Sequence, residues 1–335
     1  MKTSTLSRFA AALVLGATAS AHAVQLSGAG ASFPAPLYQR WAVDYNKAHP
    51  DVQVNYQSVG SGAGIKQFIA GTVDFAASDA AMKDDEIAKV AKGAVMIPAT
   101  AGSIVIAYNL PGITDLKLSR DAYTGIFLGK ITSWDDEVIK KDNPGIALPS
   151  LPINVAYRSD GSGTTFVFTK HLAAISPAFK DEVGSDKSVE WPVGVGGKGN
   201  EGVTALIKQT PGTVGYVEFG YAVGNSLPMA SLQNKAGTFV KPTAESGAAT
   251  LASVELPANL RIWPEDPTGT DAYPIATFTW LLLYGSYGDA AKLAALKDFV
   301  KWGLTDGQKL APGLGYIPLP APVVEKATAA LDSVK

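Results

Sequence analysis

The chain has 335 residues, 47% of them hydrophobic and 17% charged, a globular composition rather than a disordered one. It contains no cysteine, which excludes disulfides, thiolate metal sites, cysteine nucleophiles and an acylated N-terminal cysteine. Three histidines and a net charge of −2 leave little scope for imidazole-rich metal catalysis and give no general attraction to nucleic acid or anionic membrane.

Residues 1–23 have the three parts of a secretory signal. Lys2 and Arg8 are basic, Phe9–Gly16 is apolar, and Ala21-His22-Ala23 is a small-x-small cleavage site. Removing them leaves 335 − 23 = 312 residues, about two domains by length. The charge becomes 26 − 30 = −4, and the histidines reduce to His49 and His171. No later apolar run approaches the roughly 18–20 residues of a membrane span. With no cysteine to lipidate, the product is expected to be a free periplasmic protein.

The remaining chain alternates strands with helices, the pattern of α/β layers. Gln25–Ser27 runs through Gly28-Ala29-Gly30-Ala31-Ser32-Phe33-Pro34 into a helix marked by Leu37, Trp41 and Tyr45, with Pro36 in its first turn. Val52, Val54 and Tyr56 alternate with polar residues, a half-buried strand. It leads through Gly60-Ser61-Gly62-Ala63-Gly64 into a helix over 65–70. Val73, Phe75 and Ala77 repeat the alternation, and Ile104–Tyr108 is an apolar run of strand length. Ile153–Tyr157 is another, leading through Arg158-Ser159-Asp160-Gly161-Ser162-Gly163-Thr164-Thr165 into a helix over 166–175. Helical periodicity returns at 202–208 and 290–302; segments 143–152, 192–199 and 264–274 read as loops. His49 precedes Pro50 at a helix end, His171 lies on a helix without an acidic partner, and Trp134 and Trp191 read as packing residues. Lys198 in Gly-Gly-Lys-Gly-Asn does not complete a P-loop.

Three of these strand–loop–helix corners share their parts. Glycines let backbone amides face a ligand, a Ser or Thr adds a hydroxyl donor, and the helix behind contributes partial positive charge at its N-terminus. The third corner adds Arg158, whose guanidinium can fork onto an oxyanion. Single corners of this kind also serve as helix caps, but three together point to an oxyanion site in an exported α/β protein.

At these residues the chain resembles the periplasmic phosphate-binding proteins of phosphate ABC importers, the PstS family. The motifs are Gly28–Pro36, Val73–Asp79, Gly129–Asp136, Asp160–Thr164, Gly196–Asn200 and Gly215–Glu218. The resemblance implies a two-lobed α/β periplasmic binding protein (type II) with its ligand in a cleft between lobes joined by crossover strands. Lobe I would take 24–100 plus 271–335, and lobe II 101–270. It implies phosphate contacts from Ser32, Phe33, Ser61, Asp79, Arg158, Ser162, Gly163 and Thr164, with Asp160 supporting Arg158. Ser32 stands where the family usually has Thr. The loop that often reads Gly-Ser-Ser-Gly-Gly reads Gly-Ser-Gly-Ala-Gly here, so a second serine is missing. No cofactor, metal or nucleic acid is implied; the implied partner is a membrane ABC permease, and the protein itself a monomer rather than an enzyme. Asp79 as an ionised carboxylate would accept the proton that phosphate carries and sulfate lacks. Two rivals follow from the residues: a carrier of another oxyanion such as sulfate or molybdate, and a secreted hydrolase with Ser61 or Ser162 as nucleophile.

Overall fold

The computed structural model describes residues 23–335; the expected leader, as far as residue 22, lies outside the described residues. The first part of the chain is a run of strand–helix units. β1 (Val24–Gly30) leads into α1 (Ala35–Ala48), β2 (Val52–Ser58) into α2 (Ser61–Ala70), and β3 (Phe75–Ser78) into the short α3 (Asp84–Ile87). Leu37, Trp41 and Tyr45 fall on one face of α1 and are buried, as spacing by four requires. His49 caps the helix and its ring stacks on Tyr45 at 4.2 Å.

β4 (Ala94–Tyr108) is fifteen residues long and nearly all buried. After it come β5 (Lys117–Leu118), α4 (Arg120–Phe127), α5 (Glu137–Asp142), β6 (Asn154–Arg158), α6 (Gly163–Ile175) and α7 (Pro177–Glu182). Next are β7 (Val195–Gly197), α8 (Gly199–Gln209), β8 (Thr213–Glu218), α9 (Phe219–Gly224), β9 (Ser231–Gln233), β10 (Phe239–Val240) and α10 (Ala244–Ala252). β11 (Ala276–Tyr284), α11 (Ala290–Leu304) and α12 (Ala321–Asp332) complete the chain.

The main sheet has eight strands in the order β2-β1-β3-β11-β4-β8-β6-β7, and β5, β9 and β10 form a small second sheet. β1 runs parallel to β2 and β3, and β6 parallel to β7 and β8, as strand–helix–strand crossovers demand. The two parallel groups meet through the antiparallel pair β11 and β4. Residues 94–103 of β4 pair with β11, and 104–108 pair with β8, so one continuous strand belongs to both groups. The helix-first ends of the parallel strands therefore face each other across this seam. At mid-strand the register slips between Thr279 and Trp280, which pair with Thr100 and Pro98, leaving Ala99 bulged. Pro98 has no amide to give a ladder and is accommodated beside that bulge.

The structure corrects the expected boundaries at the corners. β1 continues through Gly28–Gly30, and α2 and α6 begin at Ser61 and Gly163, several residues before the periodicity starts. Glycine and serine have weak helix propensity, so these first turns are fixed by packing against the opposite side of the seam. Segment 192–199, expected as a loop, contains β7, which is completed by pairing with β6. Ile104–Tyr108 is only the end of β4, because Pro98 and Gly102 interrupt the apolar pattern upstream.

Candidate functional site

The loop after β1, the start of α2, the end of β3 and the β6–α6 corner meet in one buried cleft. Ser32, Phe33, Ser61, Asp79, Arg158, Ser162 and Thr164 are all at most 4% exposed. None of α1, α2 and α6 has an acidic residue in its first turn to offset the positive end of the helix. The cleft is shut by direct contacts across it. The Gly62 amide donates to Gly161 O at 2.8 Å, and a Cβ on Gly62 would lie 3.1 Å from the Gly161 Cα. The position of the missing second serine is thus used for close backbone approach. Gly60 takes φ +90° and packs against Asp160, where a Cβ would meet a carboxylate oxygen at 2.2 Å.

The hydroxyls share an arrangement that decides their chemistry. Ser32 Oγ accepts from the Asn200 backbone amide (3.0 Å) and from Asn200 Nδ2 (2.8 Å). Thr164 Oγ1 accepts from Arg158 Nη1 (3.2 Å) and Asn200 Nδ2 (3.3 Å). Ser162 Oγ accepts from Thr165 N (2.9 Å), capping α6, and Ser61 Oγ accepts from Asp79 N (3.3 Å). Each oxygen receives protein N–H groups, and the hydroxyl hydrogens of Ser32, Ser162 and Thr164 are left to be donated, while the Ser61 side chain also bonds the Asp79 carboxyl. Among the described residues the Phe33 and Gly163 amides also find no backbone acceptor. The cleft lines up hydrogen-bond donors that can meet the oxygens of an anion.

Arg158 is held rather than free. Its Nε and Nη2 donate to the two oxygens of Asp160 at 2.8 and 2.6 Å, a bidentate pair that leaves the Arg158 side chain 1% exposed. Burial acts to raise the Asp160 pKa, but hydrogen bonds and charge from Arg158, with the Gly199 amide at 3.0 Å, hold it below the usual carboxylate range. The guanidinium charge is thereby matched, and one hydrogen on each Nη remains for a ligand.

Asp79 is the lone acceptor of the set. Thr279 Oγ1 donates to its Oδ1 at 2.7 Å, and the Trp263 indole donates to its backbone carbonyl at 3.1 Å. Burial pushes the carboxyl up to about 7, against the pull of Thr279 and the charge of Arg158. Gly163 presses on this group from the other side: a Cβ there would lie 2.5 Å from Ser61 Oγ and 2.6 Å from Asp79 Oδ2.

Sequence reasoning did not single out Asn200, Thr279 or Glu218. Asn200 is fully buried, links Ser32 to Thr164, and accepts the Glu218 amide at 2.9 Å. Its only signal was its place at the end of the Gly196–Asn200 motif. Glu218 sits behind Phe33; burial pushes its pKa well up, and Oε1 has no partner among the described residues. The histidines lie away from the cleft hydroxyls. His171 is bonded to Tyr123 OH (3.0 Å) and Glu265 O (2.6 Å), and burial pulls its pKa down to about 4. Trp134 is fully buried, and the partly buried Trp191 packs against the core among Phe127, Tyr157 and Phe168. No described helix is long and apolar enough to cross a membrane.

A family model described as a PBP superfamily domain matches residues 16–306. Phosphate-binding protein PstS of Xylella fastidiosa (strain Temecula1) is 43% identical over 310 residues, covering 91% of this chain and 84% of that protein. Phosphate-binding protein PstS of Haemophilus influenzae is 44% identical over 317 residues, covering 93% and 94%. In fold, the chain is similar to a periplasmic phosphate-binding protein (PfluDING) solved with phosphate, at a TM-score of 0.76 and 23% identity over 91% of this chain and 93% of that one. A phosphate-binding protein from Stenotrophomonas maltophilia gives a TM-score of 0.73 at 23% identity, over 92% and 94%.

Proposed function

The chain belongs to the PBP superfamily and, within it, to the PstS phosphate-binding proteins, and from this premise we propose how it works: it captures inorganic phosphate in the cleft and presents it to an ABC-type importer. The observation that carries the reading is the division of labour in the cleft. Ser32, Ser162 and Thr164 have their oxygens engaged and their hydrogens free, while Asp79, steadied by Ser61 and Thr279, offers an acceptor. A tetrahedral anion that keeps one proton satisfies both kinds of group. Sulfate, which has no proton at neutral pH, would set a bare oxygen against the Asp79 carboxylate whenever that group is ionised, a mismatch that disfavours it.

In this reading Phe33 and Gly163 contribute backbone amides, Arg158 its two remaining Nη hydrogens, and Asp160 fixes Arg158 in place. Residues 24–100 with 271–335 form lobe I and 101–270 lobe II, with β4 and β11 as the crossover. The anion joins the lobes, and the closed form is the one an inner-membrane permease engages. Export to the periplasm and a monomeric state go with this role. The protein is a carrier rather than a hydrolase, because neither His49 nor His171 stands beside Ser61 or Ser162 as a base.

Calorimetric titration of phosphate and sulfate against wild type and Asp79→Asn tests the reading. Phosphate is expected to weaken in the variant and its margin over sulfate to narrow by at least tenfold. An unchanged margin overturns the role of Asp79, and turnover of a chromogenic phosphate ester would favour the hydrolase.

A further inference from the structure

We propose that Thr279 is a positioning residue that sets the anion preference of the cleft: it donates its hydroxyl hydrogen to Asp79 Oδ1, opposes the protonation that burial favours, and leaves Oδ2 as an acceptor for the ligand's proton. This rests on the reading that Asp79 meets the anion, and it assigns the group that keeps Asp79 an acceptor.

Thr279 lies in the middle of β11, in the run Ala276–Tyr284 that is otherwise dominated by apolar residues, and it is fully buried. Valine would fill the same space and suit a buried central strand as well, so packing alone does not call for the hydroxyl. What the hydroxyl does is donate to Asp79 Oδ1 at 2.7 Å, and the bulge that aims this part of the ladder falls directly after Thr279. The other oxygen of Asp79 lies toward Gly163 and Ser61, where the α6 corner closes on it. The two carboxylate oxygens are thus divided: Oδ1 is fixed by Thr279, and Oδ2 lies on the cleft side, where the Ser61 hydroxyl, which also bonds this carboxyl, leaves it a further lone pair for a ligand.

The division matters because an ionised carboxylate only accepts, whereas a protonated one also donates. A protonated Asp79 would give its hydrogen to sulfate as readily as to phosphate, and discrimination would vanish. Buried as it is, the carboxyl is pushed toward protonation, with a pKa raised to about 7. Thr279 and the charge of Arg158 act in the opposite direction. The other titratable groups facing Asp79 are Tyr38 of α1, Tyr56 of β2, Glu218 of β8 and Tyr316; burial raises all four, which keeps the tyrosines neutral and favours the neutral form of Glu218. The three tyrosines bring no competing charge near neutral pH.

The experiment measures sulfate and phosphate affinity from pH 5 to 8.5 for wild type, Thr279→Val and Thr279→Ser, with folding checked by circular dichroism. Sulfate stays a dianion throughout, so its affinity should rise as Asp79 takes up a proton. Loss of a hydrogen bond to a charged group moves that rise upward by about one to two pH units. At pH 8, where about a tenth of wild-type Asp79 is protonated, Thr279→Val should bind sulfate roughly 5- to 10-fold more tightly than wild type, while Thr279→Ser keeps the wild-type profile. Superimposable sulfate profiles for wild type and Thr279→Val, or equal losses for both anions, overturn the proposal. If Thr279→Val does not fold, Thr279→Ala is read in its place by the same criteria. Asp79→Asn separates the two levels: a sulfate profile as pH-dependent in that variant as in wild type removes the underlying reading of Asp79, whereas a flat one leaves Thr279 to be judged on its own.

Discussion

Gly163→Ala puts the closed cleft to a sharp test. Gly163 opens α6 with an ordinary helical backbone, so an alanine there is compatible with the helix itself. The added methyl would meet Ser61 Oγ at 2.5 Å, Asp79 Oδ2 at 2.6 Å and Asp79 Cβ at 2.7 Å, all on the opposite side of the cleft. Real Cβ atoms do not come that close, so the two sides must part slightly. Overpacking of this kind costs about 1–3 kcal/mol, which corresponds to roughly 5- to 150-fold weaker phosphate binding. The clash exists only when the cleft is shut, so thermal unfolding of the empty protein should be unchanged or slightly raised. Calorimetry gives the affinity, differential scanning calorimetry the stability, and small-angle scattering with saturating phosphate the degree of closure. Affinity within twofold of wild type would refute the argument, as would a fall in empty-state stability as large as the fall in binding.

Two further outcomes follow from the same geometry. Asp79 has a folded pKa of about 7 against an ordinary 3.8, so the fold favours its protonated form. Its contribution to the stability of the closed form is therefore greatest at low pH and declines as pH rises from about 4 through about 7, by up to about 4 kcal/mol, and the empty protein shows this decline to the extent that Asp79 stays buried in it. Urea unfolding at pH 5 and 7.5 should show a decline in wild type that Asp79→Asn reduces; parallel behaviour of the two proteins would contradict it. Arg158→Lys should weaken phosphate at least tenfold, since one ammonium cannot replace three N–H contacts to Asp160 and Thr164. Arg158→Ala should weaken it further and lower stability by about 3 kcal/mol, because Asp160 is left largely buried without its partner; titration and melting curves that match for the two variants would speak against the fork.

The parts of the site that were legible in the sequence are those carried by local chemistry. Glycine with serine at a strand–helix junction marks Ser32, Ser61 and Ser162 because only such residues let amides and hydroxyls face outward from a turn. The helix starts were not legible, since Ser61–Gly64 and Gly163 have poor propensity and are ordered by contact with residues about a hundred positions away. Asn200 and Thr279 were missed for a related reason. A buried Asn ending a glycine-rich motif looks like a cap, and a threonine inside an apolar strand looks like β-propensity. Their roles arise only when β11 is laid beside β3 and α8 comes against the loop after β1. β4 was seen only in part because Pro98, tolerable solely beside the bulge, breaks the pattern expected of a central strand.

The fastening of the cleft by its own backbone, with Gly62 bonded to Gly161 and Asn200 to Ser32, has a consequence for transport. Such contacts need no cargo, so on their own they would let an empty molecule shut and pose as a loaded one. What opposes this is the inventory of dry hydroxyls, amides and one negative carboxylate that closure strands without counterparts. The unloaded cleft is thereby biased to stay ajar, and the shut shape comes to report cargo rather than chance closure.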